Sequence, residues 1–169
     1  MLYLYKKHHM KYLLPALFCI VLLPAAYAQK TTANVEMMHS LFNAINQHDS
    51  IAVAGFFADS AKLESPNWEG TQTGKQAVTT IYSRYFKGTP DIKYDITNII
   101  ATDDAVVVEY TFGGKFSNPE ASSPAYMLNK IYSLKGSTRF NISNNKITTS
   151  VSYFDQVAFL RQVGFFDQH

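Results

Sequence analysis

The residue best placed for a catalytic role in this chain is an aspartate near its C-terminal end. Asp155 closes a predicted strand over 147–154 and precedes a short amphipathic helix over 156–163, which Gly164 ends. A carboxylate at such a junction has two established uses. It accepts hydrogen bonds from backbone N–H groups as a helix N-cap, or it carries a proton in general acid–base catalysis. Asp155 is therefore a candidate catalytic residue, with capping as the alternative.

Aromatic residues form a second group of candidates, because flat rings stack on flat ligands. Trp68, the only tryptophan, follows Pro66 in a polar loop and could stack on a ligand or anchor the loop. Tyr110 is a candidate for a cavity wall, and Glu109 beside it is either a pocket acid or a residue of the solvated face. Other tyrosines could line the same cavity, although most should be core residues or cross-strand pairs: Tyr82, Tyr85, Tyr94, Tyr126, Tyr132 and Tyr153.

The sequence predicts neither a metal site nor a cofactor. His39 and His48 lie near predicted helix ends, and no third ligand follows them at a recognisable spacing. Cys19, the only cysteine, falls in the N-terminal segment that we expect to be removed. The mature domain would then form no disulfide and no cysteine-ligated metal site.

The N-terminal segment has the features of a secretory signal peptide. A nearly continuous apolar run over 12–23 follows Lys11, and Ala26-Tyr27-Ala28 matches a signal-peptidase site. The run is short for a membrane span. We therefore predict a cleaved signal over 1–28, one domain over 29–169, and a periplasmic or secreted protein with no membrane association after cleavage. Met10 is an alternative start of translation.

Charge excludes one class of partner. Three of the 15 basic residues and none of the 13 acidic ones lie in the signal segment, so the mature domain carries a net charge of −1. A protein without a basic patch is a poor nucleic-acid binder. No nucleic-acid partner is predicted.

The order of elements indicates an α+β fold. Apolar stripes predict helices over 35–45 and 78–86, and Asp49 is placed to cap a short helix between them that reaches Phe57. Alternating residues predict a short strand over 62–65 and strands over 92–96, 105–112, 126–133, 138–142 and 147–154, with a bulge at Gly136 and a hairpin turn at Asn144-Asn145. Helices that precede an antiparallel meander pack on one face of a curved sheet.

Several short motifs, in this order, resemble the SnoaL-like polyketide cyclases, which belong to the wider group of nuclear transport factor 2 and ketosteroid isomerase. The resemblance covers about 33–166 and rests on Phe56-Phe57-Ala58-Asp59-Ser60-Ala61, Glu64-Ser65-Pro66, Gly74-Lys75-Gln76-Ala77-Val78, Phe154-Asp155-Gln156 and Gln162-Val163-Gly164. It implies a cone-shaped barrel, in which the curved sheet wraps three N-terminal helices and a short C-terminal helix follows. It also implies a pocket at the open end and a homodimer formed through the sheet.

The same resemblance bears on individual residues. The position of the isomerase's general base is Ser65 here, its oxyanion tyrosine matches Leu41, and its protonated aspartate falls near Gly136 or Ser137. Steroid isomerisation is therefore not predicted. The cyclase's acid/base aspartate falls on Asp155, while Ser65, Trp68 and Tyr110 are expected to contact the ligand.

Two hypotheses of different classes follow, because a fold alone does not specify a function. The first is an exported binding module or dimeric scaffold whose conical apolar pocket takes a small apolar or aromatic molecule. The second is an acid/base enzyme of the cyclase or isomerase type that acts on a small carbonyl compound through Asp155. The polar side chains that face the interior of the cone distinguish the two.

Overall fold

The computed structural model describes residues 29–67, 70–118 and 123–168. The predicted signal segment over 1–28 and Trp68 lie outside these ranges. Within them, no helix has the length and apolar character needed to cross a membrane.

In the described ranges, four α-helices carry the apolar stripes that the sequence predicts. They are α1 over 29–46, α2 over Ser50–Gly55, α3 over Lys75–Gly88 and the C-terminal α4 over Gln156–Gln162. The Asp49 carboxylate caps α2 by accepting hydrogen bonds from the N–H groups of Ile51 (3.1 Å) and Ala52 (2.8 Å). This cap is confirmed.

Six strands form one sheet in the described part of the chain. They are β1 over Phe57–Glu64, β2 over Gln72–Thr73, β3 over Lys93–Ala101, β4 over Ala105–Lys115, β5 over Ile131–Ser143 and β6 over Lys146–Phe154. The sheet order is β2-β1-β6-β5-β4-β3. Neighbours are antiparallel except β1 and β6, which run parallel. The long connection through α3 and β3–β5 permits this parallel pair, so the predicted α+β fold is confirmed with a mixed sheet.

Three local predictions were wrong. Phe57 begins β1 and is not the end of α2, because its backbone pairs with Ile147 of β6. Residues 125–127 form a short 3₁₀ helix, and β5 begins at Ile131. Gly136 is not a bulge, since β5 pairs with β4 in continuous register on both sides of it. The hairpin turn is confirmed, because Asn144 and Asn145 have positive φ angles of 50° and 55°.

The core lies between the helices and the concave face of the sheet. Met38 and Leu41 of α1, Val78 of α3, Phe57 of β1 and Val108 of β4 have no exposed surface. They belong to one continuous apolar cluster. This packing fixes α1 and α3 against the sheet and so determines the walls of the space between them.

Candidate functional site

A cavity of about 300 Å³ remains between α1, α3 and the concave face of the sheet. Most of its wall is apolar. The helices contribute residues such as Phe42, Ile45 and Ile81, and the loop after β4 contributes Phe116. The strands contribute inward-facing side chains. On β5 and β6 these follow the two-residue period of a strand: Tyr132, Leu134, Thr138 and Phe140 on β5, and Ser150, Ser152 and Phe154 on β6.

Tyrosine rings make up much of the wall. Tyr94 of β3 lies among other aromatic rings, with its ring centroid 5.3 Å from that of Phe112, 5.5 Å from that of Tyr110 and 6.2 Å from that of Phe42. Tyr82 and Tyr85 of α3 and Tyr132 of β5 complete this set of cavity-lining tyrosines. Such a wall suits a flat apolar ligand, because offset and edge-on ring contacts are favourable.

Four of the phenols in the wall are neutral at physiological pH. Burial raises the pKa values of Tyr82, Tyr94, Tyr110 and Tyr132 above the ordinary value of 10.0. For Tyr94, the charges that Tyr82, Tyr110 and other tyrosines would carry on ionisation raise the pKa further. These groups are therefore hydrogen-bonding hydroxyls and not bases.

Two of these hydroxyls are already engaged within the protein. The Tyr110 and Thr138 hydroxyls are 2.8 Å apart, and the Thr138 hydroxyl is 2.9 Å from that of Ser152. The Tyr132 hydroxyl lies 3.2 Å from that of Thr89. These hydrogen bonds fix the polar part of the wall.

The Tyr82 and Tyr94 hydroxyls differ from these two. Neither makes a hydrogen bond to another described residue. In the same part of the chain, no fully buried side-chain nitrogen or oxygen is left without a partner. Both hydroxyls therefore keep some accessible surface, and both residues line the cavity.

Ionisable groups that could carry a proton at neutral pH are scarce in this wall. Among the described lining residues, none is an aspartate, a glutamate, a histidine or a cysteine, and Arg84 is the one charged side chain. Arg84 lies on the exposed side of α3. The described wall thus offers hydrogen-bond donors and aromatic surface but no carboxylate or imidazole for acid–base catalysis.

Asp155 lies on the surface, outside the set of residues that line the cavity. Its carboxylate accepts a hydrogen bond of 2.8 Å from the Ala158 N–H, and so caps α4. Gln162 at the other end of α4 exchanges two hydrogen bonds with the backbone of Ser133 on β5. Asp155 thus stabilises the first turn of α4, and Gln162 holds the helix on the sheet. The catalytic role of Asp155 stays a prediction.

The other predicted site residues lie in two places. Ser65 and Tyr110 both line the cavity, whereas Trp68 lies outside the described residues. Glu109 is on the exposed face of β4, where its carboxylate accepts a 3.3 Å hydrogen bond from Asn98. Ligand contact by Ser65, Trp68 and Tyr110 stays a prediction.

Several polar residues of the wall did not figure among the predicted site residues. Thr138, Ser150 and Ser152 face inward on β5 and β6, and Thr89 follows α3. Strand alternation counted from the buried Leu134 and Phe140 would have placed Thr138 on the inner face. No comparable signal marks Thr89.

Within the described ranges, no three His, Cys, Asp or Glu side chains come together in a way that could hold a metal ion. His48, one of the two histidines considered in the sequence, stacks on Phe86 at a centroid distance of 4.8 Å, and its Nε2 lies 2.9 Å from the carbonyl oxygen of Ile92. These contacts give His48 a structural role in the packing of the domain.

Comparison with solved structures finds the same fold in several bacterial proteins. A predicted SnoaL-like polyketide cyclase from Jannaschia sp. CCS1 matches with a TM-score of 0.70 and 18% identity, over 79% of this chain and 92% of the other. A protein with a ketosteroid isomerase-like fold from Catenulispora acidiphila, solved with trimethylamine, matches with a TM-score of 0.64 and 19% identity, over 76% and 92%. An NTF2-like protein from Burkholderia xenovorans LB400 matches with a TM-score of 0.63 and 20% identity, over 79% and 97%.

Sequence comparisons give the family. Curated protein sequences yield no significant match. The family model of the SnoaL-like domain matches residues 38–149, which is more than half of the chain. That range includes α2, α3, β3–β5 and most of the cavity wall. The chain therefore belongs to the SnoaL-like domain family, within the nuclear transport factor 2-like and ketosteroid isomerase-like fold.

Proposed function

We propose that this domain binds a small, flat and largely apolar molecule in the cavity between α1, α3 and the sheet. The observation that carries the proposal is the composition of the described wall, which combines aromatic rings and neutral hydroxyls without a carboxylate or an imidazole. Apolar clefts with a few placed polar groups are the usual form of a small-molecule site. Binding is therefore the activity that the wall supports best.

The cavity also limits the size of the ligand. Its volume of about 300 Å³ is at the lower end of the range for ligand pockets. A cavity of about 150 Å³ holds one benzene molecule. The ligand in this proposal accordingly has two or three fused rings, or an apolar body of similar size.

The acid/base enzyme is the alternative, and it lacks support from the wall. Asp155 caps α4 on the surface, and the described lining tyrosines that have raised pKa values are poor proton carriers near neutral pH. An enzyme of the cyclase or isomerase type would need a proton carrier elsewhere. We therefore place binding before catalysis.

The proposal includes the location and assembly of the domain. The apolar run over 12–23 and Ala26-Tyr27-Ala28 support export to the periplasm or the medium, where N-terminal sequencing of the mature protein should begin at Gln29. Recovery of the uncleaved chain from the cytoplasm alone would contradict export.

The family resemblance supports a homodimer through the exposed face of the sheet, which light scattering in solution can test.

The binding claim is tested with a fluorescent apolar dye and a matched pair of substitutions. N-phenyl-1-naphthylamine, excited directly, should gain fluorescence on binding to the wild-type protein. Ile81→Trp fills the cavity from α3 and should abolish this gain, whereas Ile100→Trp adds the same ring on the exposed face of β3 and should preserve it. Equal binding by both variants, or no binding by the wild type, would contradict the proposal. Circular dichroism melts confirm that both variants fold.

A further inference from the structure

We propose that Tyr82 and Tyr94 act as a pair of hydrogen-bond donors that selects ligands with an acceptor oxygen, such as an aromatic ketone, over hydrocarbons of the same shape. The inference rests on the proposed binding function and adds the chemical class of the ligand. Its basis is the difference between these two hydroxyls and the other tyrosine hydroxyls whose partners are described.

The first step is the state of the hydroxyls. The Tyr110 and Tyr132 hydroxyls are engaged by Thr138 and Thr89, at 2.8 Å and 3.2 Å. No described residue gives the Tyr82 or Tyr94 hydroxyl a hydrogen-bond partner, although both rings line the cavity. A polar group in an apolar wall is stabilised when a partner reaches it. A ligand in this cavity is placed to supply that partner.

The second step is the position of the two rings. Tyr82 comes from α3 and Tyr94 from β3, so they belong to different elements around the cavity. Both rings line the same cavity, whose volume is only about 300 Å³. One ligand can therefore lie within reach of hydroxyls from both elements.

The third step is the direction of the hydrogen bond. The phenols are neutral and keep their protons, and a phenol donates more strongly than it accepts because its oxygen lone pair is delocalised into the ring. An acceptor such as a carbonyl oxygen is the better complement to two such donors. A hydrocarbon of the same shape would leave both hydroxyls without a partner, which is unfavourable in a buried site.

The test uses fluorene and 9-fluorenone, which share one three-ring skeleton and differ by a carbonyl oxygen. Displacement of N-phenyl-1-naphthylamine from the full wild-type protein gives the affinity of each. We expect 9-fluorenone to bind about tenfold more tightly than fluorene, the factor that corresponds to one additional net hydrogen bond. Tyr82→Phe combined with Tyr94→Phe should bring the ratio close to one while fluorene still binds.

The control is the same chemical change outside the cavity. Tyr153 on β6 is 60% exposed and is not among the cavity-lining residues, so Tyr153→Phe should keep the preference for 9-fluorenone. Equal wild-type affinities for the two compounds would overturn the inference and leave the proposed binding function standing. A preference that persists in the double variant would also overturn it. Failure of the dye and both compounds to bind would overturn the binding function and the inference together.

Discussion

The ring of Tyr110 lies against the backbone of Gly136, its direct partner on the neighbouring strand. The two residues are paired in the register of β4 and β5, and a Cβ atom added at Gly136 would lie 2.7 Å from Cε2 of Tyr110. The glycine therefore makes room for the ring on the concave face. In this position the Tyr110 hydroxyl reaches Thr138, two residues further along β5.

Gly136→Ala should destabilise the protein. The added methyl group would force Tyr110 to move and would strain its hydrogen bond to Thr138, at a cost of about 1–3 kcal/mol in the free energy of unfolding. Gly55→Ala is the matched control, because a Cβ there meets no atom within 4 Å. Chemical denaturation measures the free energy of unfolding of both variants. A Gly136→Ala protein as stable as Gly55→Ala would show that the ring does not depend on the glycine.

Phe57→Ala should be among the more costly single substitutions. The side chain is fully buried at the start of β1, and removal of a buried aromatic side chain costs about 3–5 kcal/mol. Phe166→Ala makes the same change at a residue that is 49% exposed, where the cost should stay below about 1 kcal/mol. If denaturant midpoints shift equally for the two variants, the core assignment of Phe57 is wrong.

Substitutions at Asp155 separate capping from proton transfer. Asn retains most of the capping hydrogen bond to the Ala158 N–H, so Asp155→Asn should be nearly neutral, whereas Asp155→Ala should cost about 1 kcal/mol in unfolding experiments. Asn cannot carry a proton at neutral pH. Any turnover that is found should therefore persist in Asp155→Asn. A normally folded Asp155→Asn protein that loses a measured turnover would restore Asp155 as the acid/base.

Alkaline pH should weaken the fold through the cavity tyrosines. Burial raises the pKa values of Tyr82, Tyr94, Tyr110 and Tyr132 in the folded state above the ordinary 10.0. Above about pH 10 the unfolded chain loses protons that the folded chain still holds, so the free energy of unfolding falls as pH rises, while below that pH these groups contribute no pH dependence.

Urea unfolding between about pH 8 and pH 11 measures this fall directly. Tyr82→Phe combined with Tyr94→Phe should reduce its slope, since two of the groups with raised pKa values are removed. Absorbance near 295 nm reports phenol ionisation in the same samples. Ionisation of every tyrosine near pH 10 with an unchanged circular dichroism spectrum would contradict the burial of these phenols.

Local sequence signals predict the elements whose determinants are local. The positive φ angles of Asn144 and Asn145 and the carboxylate cap at Asp49 depend on residues next to one another in the chain. Phe57 is different, because the apolar pair Phe56-Phe57 also continues the stripe of α2. The pairing of Phe57 with Ile147, which is distant in sequence, places Phe57 in a strand. Local patterns carry no information about that contact.

Some residues of the candidate site can likewise be predicted from the sequence, whereas others depend on how distant elements pack. Ser65 and Tyr110 were expected at the cavity from the family resemblance and the aromatic pattern, and both line it. The distinction between Tyr82 and Tyr132 depends on whether a hydroxyl from another element, such as that of Thr89, lies within reach. That contact arises only when the residue that follows α3 comes to lie beside β5 in the folded chain.

The most direct test of the account is the location of a bound ligand. Isoleucine methyl groups report on both sides of the molecule, because Ile45, Ile81 and Ile92 line the cavity while Ile51, Ile100 and Ile131 are 77%, 58% and 72% exposed. A methyl NMR titration with 9-fluorenone should shift the signals of the first three and leave the other three unchanged. Shifts confined to the exposed isoleucines, or no shifts at ligand saturation, would contradict binding in the cavity.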